Sequence, residues 1–210
     1  MILFTGFEPF GGETVNPALE AVRLLPDSAA GGMPIRRLRL PTSFRRAGET
    51  LLEAVDAWRP KAVVCVGQAG GRKTVTPEKV AINYIDARIP DNDGAQPADV
   101  PIRADGPAAY FATLPVRAID EAIRAAGVPC VVSYSAGCYV CNFVMYTLLD
   151  HLARTAPDVL GGFIHVPYAA EQTAGKPAGT PSLTVAQMTQ ALTCAAGVIA
   201  AVCQKGRSVI

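Results

Sequence analysis

Net charge and histidine are both scarce in this 210-residue chain. Lys plus Arg number 19 against 18 Asp plus Glu, so no large field exists to gather nucleic acid or an anionic membrane, and neither is expected as a partner. Imidazole chemistry has only two possible sites, His151 and His165. The longest apolar run near the end, Ala195 to Cys203, falls short of the roughly 20 residues that span a bilayer, so no membrane segment is expected. The opening MILFTGFEPFGG lacks the basic start, apolar stretch and small-residue cleavage site of a secretory signal, and reads as a first strand. The six cysteines, at 65, 130, 138, 141, 194 and 203, form no repeated framework. Several lie in apolar runs where a free thiol packs as a small hydrophobe, which predicts reduced thiols and a cytoplasmic home.

Apolar residues, by contrast, make up 50% of the chain and charged residues 18%. That is enough to fill one large core, and a single domain over 1–210 is expected. Strand-like runs alternate with helical periodicity. Ile2 to Thr5 precedes a Gly-rich turn, and Asn16-Pro17 reads as an N-cap followed by proline at the first helical position of Pro17 to Leu25. A strand at Ile35 to Leu40, a helix at Thr42 to Trp58 and a continuous apolar run at Ala62 to Val66 follow. The turn-rich stretch Lys73 to Gly106 reads as an irregular excursion with a strand near Val80 to Tyr84 and a hairpin. Then come a helix at Val116 to Ala126, a strand at Val128 to Tyr134, a helix at Tyr139 to Ala153, a strand at Gly162 to Val166 and a last helix at Leu183 to Val202. The pattern predicts an α/β fold, a three-layer α/β/α sandwich with a mainly parallel twisted sheet. Such sheets bind ligands beyond the carboxyl ends of their strands, which directs attention to Gly6–Gly12, Gly67–Arg72, Ser133–Cys141 and His165–Tyr168.

SAGCYVCNF (135–143) places two cysteines three residues apart. Cys141 lies near the first turn of the expected helix, where free N–H groups and the helix dipole favour a thiolate. A base must stand near it. His151 lies ten residues further along the same helix, roughly 15 Å away, out of reach. His165 ends a neighbouring strand stopped by Pro167, so it is the imidazole that the fold allows beside Cys141. Two other readings stay open on spacing alone: a C-x-x-C redox dithiol, which also follows a strand and opens a helix, and a zinc site, although no second cysteine pair stands at ligand spacing. GQAGGR has neither the lysine nor the spacing of a phosphate loop.

The chain resembles the pyroglutamyl peptidase type I (pyrrolidone carboxyl peptidase) family of cysteine peptidases. The resemblance rests on GFEPFGG (6–12), NP (16–17), VGQAGGR (66–72), EKVAIN (78–83), DARIPDNDG (86–94), DGPAAYF (105–111), SYSAGCYVCN (133–142) and GGFIHVPY (161–168), which stand in family order. It implies Cys141 as nucleophile, His165 as base and Glu78 as the orienting acid, with Arg88 beside the oxyanion. It also implies a small apolar slot for the lactam ring, with Phe7 and Phe10 as its walls, Gln68 addressing the ring's polar groups, and Thr42, Ile89, Tyr139 and Val140 as further lining. No metal or organic cofactor is implied, the partners are peptides bearing N-terminal pyroglutamate, and family members often form homo-oligomers. Cys138 stands outside the family's pattern. Read locally, Glu78 beside Lys79 is a solvated carboxylate and Arg88 pairs with Asp86 or Asp91. The rival functions are a thiol–disulfide oxidoreductase using Cys138 and Cys141, and a module that binds blocked peptide N-termini.

Overall fold

The computed structural model describes residues 1–205, so positions 206–210 of the expected domain lie outside the described residues. In chain order the elements are β1 (Ile2–Phe7), α1 (Pro17–Arg23), β2 (Ile35–Leu40), α2 (Phe44–Trp58), β3 (Ala62–Gln68), β4 (Thr76–Glu78), β5 (Val80–Ile82), β6 (Ala109–Phe111), α3 (Val116–Ala125), α4 (Val140–Thr155), β7 (Leu160–Val166), β8 (Tyr168–Ala169), β9 (Ser182–Leu183) and α5 (Val185–Lys205). The central sheet runs β2-β1-β3-β7-β4; its first four strands are parallel and β4 is antiparallel to β7. Every residue of β1, β3 and β7 is buried, as both faces of an inner parallel strand must be. β2 at the edge alternates buried ends with exposed or half-buried arginines, and charge on an edge discourages pairing with another chain.

Helices cover both faces. α2 packs with α4, while α1 and α3 pack on α5, which gives the expected three layers. α1 starts as read: Asn16 Oδ1 accepts from the Ala18 N–H at 3.1 Å and Pro17 opens the helix. α2 starts two residues later than expected, because Ser43 is its N-cap and accepts from the Arg46 N–H at 3.2 Å. α5 also starts two residues late. Thr184 Oγ1 accepts from the Gln187 N–H at 3.1 Å and Gln187 Oε1 accepts from the Thr184 N–H at 3.0 Å, a reciprocal cap that fixes where the helix begins. By length and composition alone α5 could cross a membrane, which the shorter Ala195 to Cys203 run did not suggest. In the fold its Ala191, Leu192, Ala195 and Ile199 are buried in the core.

One expected strand is not regular. The segment 128–134 lies beside β4 only through the isolated parallel bridges Val75↔Cys130 and Glu78↔Ser133. Val75 N donates to Pro129 O, Val131 N to Val75 O, Ser133 N to Pro77 O and Lys79 N to Ser133 O. The missing rung belongs to Pro77, which has no N–H to give, so the ladder breaks at its middle. The hairpin in the excursion pairs β5 with β6. The long loop between them is ordered by buried polar anchors: Asp91 accepts from the Phe44, Asp93 and Ala95 N–H groups at 2.8, 2.9 and 2.9 Å.

Candidate active site

β1, β3 and β7 run parallel, so their carboxyl ends meet at one edge, and the start of α4 lies over it. Tyr139 is the N-cap of α4, Val140 the first helical residue and Cys141 the second; no side chain caps this end. Asn142, which could have done so, is turned away: its Oδ1 accepts from the Ile82 N–H at 3.0 Å and its Nδ2 donates to Ile82 O and Tyr84 O at 2.9 and 3.0 Å. The first-turn N–H groups, that of Cys141 included, therefore stay free of side-chain acceptors and intrahelical partners.

The sulfur of Cys141 lies directly over Gly67. A Cβ built on Gly67 would stand 2.9 Å from Cys141 Sγ and 2.8 Å from Phe163 Cζ. Gly67 is paired with His165 in the β3–β7 ladder, where neighbouring strands are about 4.8 Å apart and opposed residues share a face. The thiol thus occupies the space beside the His165 ring. His151 is elsewhere, with its Nε2 2.7 Å from Asp56 Oδ1 between α4 and α2.

Glu78 comes to this point on β4. It is fully buried, 0% exposed, and not the solvated carboxylate that its neighbour Lys79 suggested. His165 Nδ1 lies 2.7 Å from Glu78 Oε1. On the other side Arg72 Nη1 donates to the same carboxylate and to Thr76 Oγ1, and Arg72 Nη2 donates to Ser135 O at 2.8 Å. Burial alone raises the Glu78 carboxyl, but the bond and charge of His165, with Ser133 and Arg72 adding, bring it below its ordinary value. An ionised carboxylate only accepts, so Nδ1 carries the hydrogen and Nε2 is left as the base. Burial, opposed by Glu78, lowers the His165 imidazolium below its ordinary 6.5.

The free thiol behaves differently from the sequence expectation. Burial, with the Glu78 charge adding and Arg72 opposing, pushes Cys141 up to about 12. The helix start favours a thiolate, and the loss of water around the sulfur opposes it. The resting site therefore pairs a thiol with a neutral imidazole. Two pH responses are expected. kcat/KM for a peptidase substrate should fall as pH drops through the lowered His165 value, because the imidazolium cannot take a proton. Iodoacetamide labelling of Cys141 should climb about tenfold per pH unit from 7 to 10; a labelling rate flat below pH 8 would instead mean a preformed thiolate–imidazolium pair.

The remaining site residues surround this centre. Phe7 is 2% exposed and stacks on Phe163 at 6.1 Å between ring centroids. Phe10 faces Tyr139 at 6.1 Å, and Tyr139 Oη donates to Pro90 O at 3.1 Å. Thr42 Oγ1 donates to Glu8 O at 2.8 Å, Asn92 Nδ2 donates to Pro9 O at 2.9 Å, and Ile89 packs towards Gly11. The loop after β1, the 88–93 stretch and the start of α4 are thereby knitted together. Gln68 ends β3 next to Gly67. Val140 is 1% exposed and belongs to the core cluster. Arg88 is exposed, and among the described residues it forms no ion pair with Asp86 or Asp91. Cys138 lies in the turn before α4, where its carbonyl accepts from the Asp86 N–H at 3.0 Å. Arg72 and Gly67 received no role from the sequence. A glycine inside an apolar strand signals a close approach and could have singled out Gly67; nothing local to Arg72 says that it reaches Glu78.

The family model described as Pyroglutamyl peptidase matches residues 1–202. The chain belongs to that family. It is 49% identical over 195 residues to the pyrrolidone-carboxylate peptidase of Bacillus subtilis, covering 93% of this chain and 90% of that protein. It is 53% identical over 176 residues to pyrrolidone-carboxylate peptidase 1 of Streptococcus pneumoniae, covering 84% and 82%. The crystal structure of pyroglutamyl peptidase I from Bacillus amyloliquefaciens superposes with a TM-score of 0.92 at 49% identity, over 95% of this chain and 94% of that one. Pyrrolidone carboxyl peptidase from Thermococcus litoralis superposes at 0.93 and 40% identity, over 100% and 97%. In a family that removes N-terminal pyroglutamyl residues with a cysteine, the cysteine over Gly67 is the one to account for.

Proposed function

We propose that this chain removes N-terminal pyroglutamate from peptides through Cys141, His165 and Glu78. The observation that carries the reading is the seating of Cys141 Sγ over Gly67, the ladder partner of His165, whose other nitrogen is held by buried Glu78. As the sulfur attacks the pyroglutamyl carbonyl, its proton passes to His165 Nε2, and the ionised Glu78 stabilises the imidazolium. The imidazolium then protonates the leaving amine, releasing the shortened peptide and leaving a thioester. Water, deprotonated by the same ring, frees the acid. The oxyanion meets the free Cys141 N–H at the uncapped helix start, and for Arg88 the support is that residues 86 and 90 on either side of it are bonded to Cys138 O and Tyr139 Oη at this helix start. Since a thiol, a base and backbone donors supply every role, the chemistry asks for no metal or organic cofactor.

The lactam is small and neutral, with one N–H and one C=O, so it suits apolar walls and a few amide partners, and a free amine or carboxylate would be penalised there. Phe10 and Tyr139 at the start of α4, with Ile89 and Thr42 in the segments bonded to the loop after β1, support this role, with Gln68 at the strand end; Phe7 and Val140 support it from the core beneath. For a cytoplasmic home the support is that all six cysteines are free, the state that thiol chemistry requires. For a homo-oligomer it is the exposed apolar surface, including Phe111, Val131 and Tyr134.

Glu78→Gln tests the assignment of the acid. It keeps the shape, removes the charge that stabilises the imidazolium and puts an amide N–H within reach of the ring. The expected result is a fall in kcat of about 10²- to 10⁴-fold on a pyroglutamyl aminocoumarin, with little change in KM. Activity equal to wild type would remove Glu78 from the mechanism.

A further inference from the structure

One guanidinium joins three segments of the site. β3 ends at Gln68 and the chain then turns sharply: Arg72 N–H donates to Ala69 O at 3.3 Å, and Gly71 takes φ +89°, the left-handed conformation such a turn needs at its third residue. The turn brings Arg72 to β4, where Nη1 donates to both Thr76 Oγ1 and Glu78 Oε1, while Nη2 donates to Ser135 O at 2.8 Å. Thr76 is the ladder partner of His165 and Glu78 that of Phe163, so both β4 side chains lie on the face of the sheet that carries the imidazole. Ser135 stands in the turn that leads into α4. Its Oγ accepts from the Gly137 N–H at 3.3 Å, two residues before the helix N-cap, Tyr139.

Arg72 and His165 Nδ1 bond the same oxygen of Glu78. Two donors on one oxygen lie within about 6 Å of each other, so a fixed positive charge faces the ring across the carboxylate. The Arg72 side chain is only 28% exposed, and water screens it poorly. Burial lowers the His165 imidazolium, Glu78 opposes this, and Arg72 adds to the lowering. The other ionisable groups close by carry no charge at neutral pH: Cys141 from α4, Cys65 on the Gly67 face of β3 and the Tyr139 phenol are each pushed up to about 12. Lys79 is engaged elsewhere, with its ammonium 5.6 Å from the centre of the Phe111 ring.

We propose that Arg72 is a positioning residue for the triad: it locks the Glu78 carboxylate to the turn before Cys141, and its charge holds the His165 ring in the neutral form that takes the proton of the sulfur. Arg72 acts through Glu78 and touches no reacting atom. The proposal rests on Cys141, His165 and Glu78 acting as set out above.

The test reads the His165 ring directly. The chain has only two histidines, so their Cε1–H signals can be followed by NMR as pH is varied, with His151→Gln to assign them. Arg72→Met removes the positive charge, and the His165 midpoint should rise by roughly one pH unit. The acid limb of kcat/KM on a pyroglutamyl aminocoumarin should move up with it. On the plateau kcat should fall roughly 10- to 100-fold with little change in KM, because the lost bonds hold the acid and not the substrate. Arg72→Lys keeps the charge, but one ammonium cannot span Thr76, Glu78 and Ser135 together; the midpoint should return close to that of wild type while kcat stays low. Arg72→Gln, also neutral, replaces Arg72→Met if that variant does not fold, with the same rise expected. If the His165 midpoint in the neutral variant equals that of wild type, whatever happens to the rate, Arg72 is merely structural and the proposal is overturned. Full return of kcat in Arg72→Lys would overturn the lock. If the midpoint moves and the acid limb does not follow it, His165 is not the base, and the triad reading beneath the proposal falls.

Discussion

Cys141→Ser is expected to lower kcat/KM for a pyroglutamyl amide by roughly 10³- to 10⁶-fold, while Cys138→Ser stays within about twofold of wild type. The difference follows from where the two side chains sit. The Cys141 sulfur is lodged against Gly67 and Phe163 beside the His165 ring, whereas Cys138 lies in the turn before the helix and takes part through its carbonyl. In a site where burial already holds the thiol up to about 12, a serine hydroxyl is far harder to deprotonate, and a neutral imidazole does not compensate. Each variant should melt near the wild-type temperature, so that lost rate is not mistaken for lost fold. Equal loss in both variants would revive the dithiol reading. A wild-type protein that binds the substrate without cleaving it would favour the binding module.

The second large effect needs only a methyl group. Gly67→Ala places a Cβ 2.8 Å from Phe163 Cζ and 2.9 Å from Cys141 Sγ, closer than side-chain carbons approach either neighbour. Phe163 cannot give way easily: it is 0% exposed, stacks on Phe7 at 6.1 Å and meets the His165 ring at 4.7 Å. Overpacking of this kind costs about 1–3 kcal/mol of stability. The catalytic cost should be greater, because the same methyl displaces the sulfur and, through Phe163, the imidazole. A misplacement of about 1 Å is worth roughly 10²-fold in rate. The expected outcome is a folded protein with at least that loss in kcat and slowed alkylation of Cys141. Wild-type kinetics in Gly67→Ala would mean that the sulfur does not work from this position.

Much of the architecture could be read from short-range patterns. The continuous apolar runs became inner strands, and Asn16-Pro17 capped α1 as its residue types demand. Helix rise and strand order left His165 as the imidazole within reach of Cys141, since His151 was too far along its own helix, but the dithiol and zinc readings stayed open on spacing and only the family resemblance implied the pair. Other local signals were present but unread, such as Thr184 and Gln187, whose reciprocal bonds start α5 two residues later than periodicity suggested. The broken pairing of 128–134 was a different matter. Pro77 is plain in the sequence, but its missing N–H matters only because that residue faces this segment, and no local pattern names a strand's neighbour.

By itself the sequence determined the α/β alternation, the glycine-marked strand ends and the helix that opens near Cys141, because these depend on backbone geometry and on side-chain periods of two and 3.6 residues. Tertiary structure alone decided that Glu78 is buried against His165 and Arg72 when Lys79 suggested a solvated carboxylate, and that desolvation pushes the Cys141 thiol up when its helix position suggested a thiolate. Both outcomes turn on water. Proximity in the chain says which charges are adjacent, but only packing says how much solvent they lose.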